Sequence, residues 1–370
     1  MPALRVQIPQ VQPPRAARAS FYSHPAGALG APRTGIHKAF RPCPSGATGS
    51  SSQSARTPGE TRTFISPAGV RSSLIAGIAA VAAGAVGSRT RTVVARAASC
   101  PPYLSSAQKR CLLISNSKLA GLDYLEHVMD HIKAFLGEVP DGGAYVVFVP
   151  FAQRNRDGYA SKFRAAFKET GYDVRSLHEC VDANARLALV RGASAIFVGG
   201  GNTYRLLKCL QQDAELLPLI ASRVASGELA YIGSSAGTNC ACPTVRNTND
   251  MPIVWPDSLD GLCFVPFQIN THYIDEDREL KNHMGETRAT RLREFVEEND
   301  VPVLALREGA SVLVEGESAK LLGPARISDE VTWDGARLVR RASDGGPLEI
   351  PVGASLDHLM ALGGPGRDQS

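Results

Sequence analysis

Carboxylates are nearly missing from the first 110 residues of this 370-residue sequence: Glu60 stands alone against fourteen Lys and Arg. Large apolar residues are scarce there too, and Ser, Ala, Pro and Gly fill the space, a composition that cannot bury a core. No apolar run of the roughly 18 residues that a bilayer span needs is present; Leu74 to Val86 falls short. No membrane association is therefore expected of the mature form. The eight cysteines include no C-x-x-C pair, which argues against a disulfide framework. A Walker lysine motif and a G-x-G-x-x-G fingerprint are both absent, so a nucleotide site is not expected.

What remains is an acidic body behind a basic leader. The whole chain carries +4 and the first 110 residues about +13, which leaves about −9 for the rest. That balance points away from a nucleic-acid partner. The Arg- and Ser-rich, acid-poor leader reads as an organelle transit peptide, plastid before mitochondrion. A retained tail and a cytoplasmic location are the alternative. Residues 1–110 are thus expected to be a disordered targeting leader, 111–362 a single catalytic domain and 363–370 a loose tail.

Within the body, short apolar runs alternate with amphipathic stretches. Strands are expected at Cys111 to Ser115, Tyr145 to Pro150, Val174 to Leu177, Ala195 to Val198 and Leu229 to Ile232. Leu122, Leu125, Val128, Met129, Ile132, Phe135 and Leu136 recur at helical spacing. Further helices are expected at Lys162 to Thr170, Ala183 to Arg191, Tyr204 to Leu210 and Leu216 to Ala225. Such an alternation implies an α/β fold, a mostly parallel sheet with helices on both faces. Beyond it, Phe264 to Ile269 is strand-like, Glu286 to Glu298 helical, and the stretch from Leu321 onward β-rich.

Chemistry concentrates where strands end, because ligands bind at the carboxyl edge of such sheets. Gly233-Ser234-Ser235-Ala236-Gly237 follows a strand and leads into a helix, the setting of a nucleophile elbow with Ser235 at its apex. Gly199-Gly200-Gly201-Asn202 follows another strand. The Ala236 amide, with that of Gly200 or Gly201, suits an oxyanion hole. His272, in Gln268-Ile269-Asn270-Thr271-His272, is expected just after a strand at the same edge and is the candidate base. Two acids compete to orient it, Asp250 and Glu308, and spacing does not decide between them. Arg288, near a helix start, is a candidate clamp for a substrate carboxylate. His127 and His131 are four apart on a helix, and a solvated face is the expected reading; no third metal ligand accompanies them. Cys240 and Cys242 read as small buried packing residues.

Taken together with Ser115-Asn116-Ser117 and Thr248-Asn249-Asp250-Met251-Pro252-Ile253, these motifs resemble peptidase E, the serine α-aspartyl dipeptidases, which are related to cyanophycinases. The resemblance runs in order from about Cys111 to Gly323. It implies a class I glutamine amidotransferase-like fold, a flavodoxin-like three-layer sandwich. It also implies hydrolysis of dipeptides with N-terminal aspartate, a small peptide substrate, without metal or other cofactor. Carried over by position, Ser235 is the nucleophile and His272 the base. Asp250 is preferred over Glu308 as the acid. Arg288 faces the aspartyl carboxylate, and Asn202 joins it in substrate binding. Ser234 departs from the aromatic residue that bacterial members usually place before the nucleophile, which bears on substrate preference. The alternatives are a serine hydrolase acting on another aspartyl or acyl substrate, or a non-catalytic amidotransferase-like binding domain.

Overall fold

A computed structural model describes residues 106–276, 285–327 and 335–363. The leader before residue 106, the Leu74 to Val86 segment and residues 364–370 lie outside the described residues. In chain order the first half runs β1 (Arg110–Ile114), α1 (Met129–Leu136), β2 (Tyr145–Val149), α2 (Arg156–Phe167), β3 (Asp173–Ser176), α3 (Ala183–Arg191), β4 (Ala195–Val198), α4 (Thr203–Gln211) and α5 (Leu216–Ala225). It continues through β5 (Ala230–Ser234), α6 (Ala236–Cys240), β6 (Gln268–Tyr273), α7 (Arg288–Glu298), β7 (Val303–Arg307) and β8 (Ser311–Glu315). The remainder is β9 (Ser318–Leu322), β10 (Ala336–Val339), β11 (Leu348–Ile350) and α8 (Asp357–Met360).

The main sheet has the order β3-β2-β4-β5-β1-β8-β9. Its first five strands are parallel; β8 and β9 close one side antiparallel. The path β3-β2-β4-β5 follows the 2-1-3-4 order of flavodoxin-like sheets, with β1 in fifth place. Side chains alternate between the two faces of a strand, so Leu112, Ile114, Val146 and Phe148 pack with Met129, Ile132 and Phe163 of α1 and α2. Leu113, Val147, Ile196 and Tyr231 face Leu187, Leu206 and Ile220 of α3, α4 and α5. The result is the expected three-layer α/β sandwich.

A second sheet was not legible as such: β11-β10-β7-β6, with β6 and β7 parallel. Its own small core of Leu292, Val296, Val303, Ala305 and Val339 anchors α7 against it. Three details differ from the sequence reading. Residues 106–110, assigned above to the leader, pack with the body: Lys109 is buried, its carbonyl accepts from Gly316 N, and Ser106 Oγ donates to Ala225 O. The strand expected over Phe264 to Ile269 begins later, at Gln268, so His272 lies within β6 and not beyond it. Helix α1 begins only at Met129: Leu125 at φ 64° starts a separate 3-10 turn, and Val128 at φ −124° and ψ 0° separates that turn from the helix.

That late start also re-aims a histidine. His127 sits in the 3-10 turn Glu126–Val128 and is fully buried. The expected solvated face is therefore wrong for His127, and His131 is half-buried with Nε2 2.9 Å from Gly323 O. Burial pushes the His127 pKa down from 6.5 to about 4. Between those values the unfolded chain binds a proton that the folded chain refuses, so stability falls as pH drops through this window, by up to about 3 kcal/mol. Urea unfolding at pH 7 and pH 4 should show His127→Leu losing about that much less than wild type. Equal losses in the two proteins would rule out His127 as the titrating group.

Candidate active site

Ser235 occupies the turn between β5 and α6 with φ 53° and ψ −109°. A non-glycine residue in that region stores on the order of 1–3 kcal/mol, and such strain persists where the surroundings over-determine it. Here Ser235 N donates to Ile114 O at 3.0 Å, and Asn239 N donates to Ser235 O at 2.9 Å. Thr238 Oγ1 braces the turn from beneath, 2.7 Å from Ile114 O and 2.9 Å from Gly233 O. The flanking glycines are required by space: a Cβ on Gly237 would lie 2.1 Å from Val198 O, and one on Gly233 2.7 Å from the Gly237 carbonyl.

His272 arrives from the other sheet. In the β6–β7 pairing, Asn270 faces Ala305 and Tyr273 faces Arg307, so Thr271 and His272 together oppose Leu306. This bulge, with His272 at φ 55°, turns the imidazole toward the main sheet. Its Nε2 lies 2.8 Å from Ser235 Oγ and its Nδ1 2.8 Å from Glu308 Oε1. A carboxylate accepts and does not donate, so Nδ1 carries the proton and Nε2 accepts from the serine hydroxyl. Glu308 immediately follows β7, in the crossover that takes the chain back to β8 of the main sheet. The hydrogen bond from His272 holds its carboxyl below the usual range, helped by the charge of the nearby Arg288. Ser235, His272 and Glu308 thus form one hydrogen-bonded line.

Asp250, preferred above as the acid beside His272, is elsewhere. Its Oδ2 accepts from Thr203 N at 2.7 Å, Thr203 Oγ1 at 2.5 Å and Thr248 Oγ1 at 3.1 Å. The rival Glu308 holds the position at the imidazole. The loop carrying Asp250 is strapped to the start of α4 through these bonds.

One more expectation needs correcting. Gly200 N donates to Tyr159 Oη at 2.9 Å, so this amide is committed to the fold. The role of Gly200 is clearance, since a Cβ there would come within 3.0 Å of Ser235 Cβ. Gly201 N has no hydrogen-bond partner among the described residues. Ala236 N is the first amide of α6, where a helix leaves its donors without an intrahelical acceptor. Asn202 is the N-cap of α4: Oδ1 accepts from Arg205 N at 3.0 Å and Nδ2 donates to Met251 O at 2.9 Å. Those two bonds start α4 and tie the glycine loop to the loop that carries Met251. Arg288 opens α7, half-buried and close enough for its charge to act on Glu308. Cys240 and Cys242 are buried packing residues, as their position after the elbow suggests. Among the described residues there is no cluster of three His, Cys, Asp or Glu suited to a metal ion.

Two residues were quoted in a motif above without a role. Ser115 Oγ accepts from His272 N at 2.9 Å and donates to Leu306 O at 2.8 Å, bridging β1 to both strands that carry the imidazole and its carboxylate. Asn116 Oδ1 accepts from Gly309 N at 2.7 Å, fixing the residue after Glu308. A polar Ser-Asn pair ending a buried apolar strand was the available signal, because buried polar groups require partners.

A serine on a strained strand-to-helix turn, linked in series to an imidazole and a carboxylate on a parallel α/β sheet, is the arrangement of a serine hydrolase. Residues 111–322 match the model of peptidase family S51, and the chain belongs to that family. It is 47% identical over 253 residues to Peptidase E of Streptomyces coelicolor, covering 68% of this chain and 96% of that protein. It is 41% identical over 255 residues to a Drosophila melanogaster protein named "Probable alpha-aspartyl dipeptidase", covering 69% and 99%. Peptidase E of Nostoc sp. is 41% identical over 222 residues, covering 59% and 88%.

Proposed function

We propose that this protein is a serine-type exopeptidase that hydrolyses dipeptides with N-terminal aspartate through an acyl-enzyme. The observation that carries the reading is the pair of 2.8 Å contacts placing His272 between Ser235 and Glu308. The names of the relatives, Peptidase E and alpha-aspartyl dipeptidase, supply the substrate class.

In this scheme His272 Nε2 takes the hydroxyl proton as Ser235 Oγ attacks the peptide carbonyl. Glu308 holds the Nδ1–H tautomer and stabilises the imidazolium that forms. The Gly201 and Ala236 amides receive the developing oxyanion. The imidazolium then gives its proton to the departing amine as the C–N bond breaks, leaving an aspartyl ester on Ser235. Water, deprotonated by His272, hydrolyses that ester and restores the enzyme. Arg288 pairs with the aspartyl side-chain carboxylate in this reading, and a charge-assisted hydrogen bond of that kind is worth about 1.5–3 kcal/mol.

The test is a substrate panel with the full-length protein: Asp-Leu, Asn-Leu, Glu-Leu and β-Asp-Leu. Asp-Leu should be cleaved in strong preference. Arg288→Ala should lower kcat/KM for Asp-Leu by about 10- to 100-fold and narrow the gap to Asn-Leu. A preference for β-Asp-Leu, or an unchanged Asp/Asn ratio in the variant, would overturn the substrate reading or the clamp respectively.

A further inference from the structure

The Asp250 carboxylate sits in a closed polar network away from the imidazole. Around its Oδ2 are Thr203 N, Thr203 Oγ1 and Thr248 Oγ1, at 2.7, 2.5 and 3.1 Å. Asn239 Nδ2 donates to both threonine hydroxyls at 3.2 Å. Thr203 is fully buried, and Asn239 is 2% exposed. The network joins three elements of the site. Thr203 is the first residue of α4 and follows Gly200-Gly201-Asn202; Asn239 belongs to α6, four residues after Ser235; and Thr248 belongs to the connecting loop. A carboxylate at the start of a nine-residue helix is also favoured by the helix dipole.

The same loop grips its surroundings on both sides. Met251 O accepts from Asn202 Nδ2 at 2.9 Å, and Asn249 Nδ2 donates to Thr271 O, the residue before His272, at 2.8 Å. The glycine loop itself touches the nucleophile, since a Cβ on Gly200 would meet Ser235 Cβ. A displacement of Thr203 therefore shifts Gly201, two residues before it, relative to Ser235.

We infer that Asp250 is a positioning residue for the oxyanion-binding loop, acting through Thr203 and Asn239, and not the acid of the charge relay. This inference rests on the proposed reading of Ser235 as nucleophile and Gly201 as oxyanion donor. Its chemistry differs from that of a relay acid in one decisive respect. A relay acid must be ionised to fix the imidazole tautomer, and an amide in its place costs about 10⁴ in kcat. A positioning acceptor needs an oxygen in the right place, which the Asn side-chain carbonyl supplies for all three donors. Misplacing a catalytic group by about 1 Å costs on the order of 10²-fold.

Asp250→Asn and Asp250→Ala in the full-length protein separate the two. The inference expects Asp250→Asn within about tenfold of wild type. Asp250→Ala should lose about 100-fold in kcat with KM little changed and the acid limb of the pH–rate profile unmoved. Thr203→Val, which keeps the carboxylate, should lower kcat in the same direction, and its effect should be non-additive with Asp250→Asn. If Asp250→Ala fails to fold, that pair of variants decides the matter. Losses near 10⁴ in both Asp250 variants, with a displaced acid limb, would overturn the inference. So would a lowered Tm with kcat intact, or additive effects in the double variant. The rate of Ser235 labelling by a fluorophosphonate is read alongside. It reports the nucleophile and the oxyanion site even where no dipeptide is cleaved, so failure of the substrate reading is distinguished from failure of the positioning role.

Discussion

Ser235→Ala is expected to lower kcat/KM for N-terminal-aspartyl dipeptides by about 10⁴- to 10⁶-fold, with Tm within a few degrees of wild type. The size follows from the chemistry: without Oγ no acyl-enzyme forms, and the residual rate comes from oxyanion donors and binding alone. The stability expectation follows from the geometry. The turn at φ 53° is held by backbone bonds to Ile114 and from Asn239 and by the Thr238 hydroxyl, none of which involves the serine hydroxyl. Substrate binding should survive, since the proposed clamp at Arg288 is untouched. Steady-state kinetics on highly purified protein, with a thermal melt of the same sample, checks both halves. Wild-type turnover from the alanine variant would remove Ser235 from the mechanism.

Glu308→Gln is expected to lower kcat by about 10⁴-fold while leaving KM within a few-fold. The amide keeps the shape but presents an N–H or a neutral carbonyl where the imidazole Nδ1 now meets a carboxylate at 2.8 Å. Two consequences follow. The Nδ1–H tautomer loses its fixed partner, so Nε2 is less often the acceptor for the serine proton. The imidazolium formed during proton transfer also loses its counter-ion, and the acid limb of the pH–rate profile moves to lower pH. Glu308 is itself held below the usual carboxylate range by the hydrogen bond from His272, so in wild type it stays charged as pH falls toward that limb. A pH–rate profile of wild type and variant reads both effects. A variant with wild-type kcat and an unmoved limb would show that Glu308 is a bystander.

Much of this was legible before any coordinates. Helices α3 and α5 and strand β4 fall where the periodicity places them, because each is bounded by loop residues and has an unambiguous apolar pattern. Ser235 was legible because G-x-S-x-G between an apolar strand and a helix has few other uses. The relay acid was not. Glu308 meets His272 because β6 pairs parallel with β7 and a bulge puts Thr271 and His272 opposite Leu306. That register is a fact of tertiary pairing between segments more than thirty residues apart, and no local spacing encodes it. Asp250 drew the role through the resemblance, since spacing left it level with Glu308, yet its loop spends its polar groups on Thr203, Asn202 and Thr271. His127 misled for a similar reason: its i, i+4 spacing from His131 presumes a continuous helix, whereas His127 lies in a 3-10 turn that ends at Val128, with φ −124° and ψ 0°, before α1 begins.

The polar groups that sequence reading undervalued share one property. Ser115, Asn116, Thr238 and Asn239 are all buried, and each joins segments distant in the chain. Together they clamp the end of β1, the elbow and the two strands of the second sheet to one another. Such pre-organisation lets amide donors and an imidazole act without rearranging at the moment of reaction.

The most direct single measurement is kcat/KM for Asp-Leu with full-length wild type, Glu308→Gln and Asp250→Asn assayed side by side. A Ser235–His272–Glu308 relay predicts turnover by wild type, a loss of about 10⁴-fold in Glu308→Gln, and a loss within about tenfold in Asp250→Asn. The opposite ranking of the two variants, or no cleavage of Asp-Leu by a folded wild type, would contradict it.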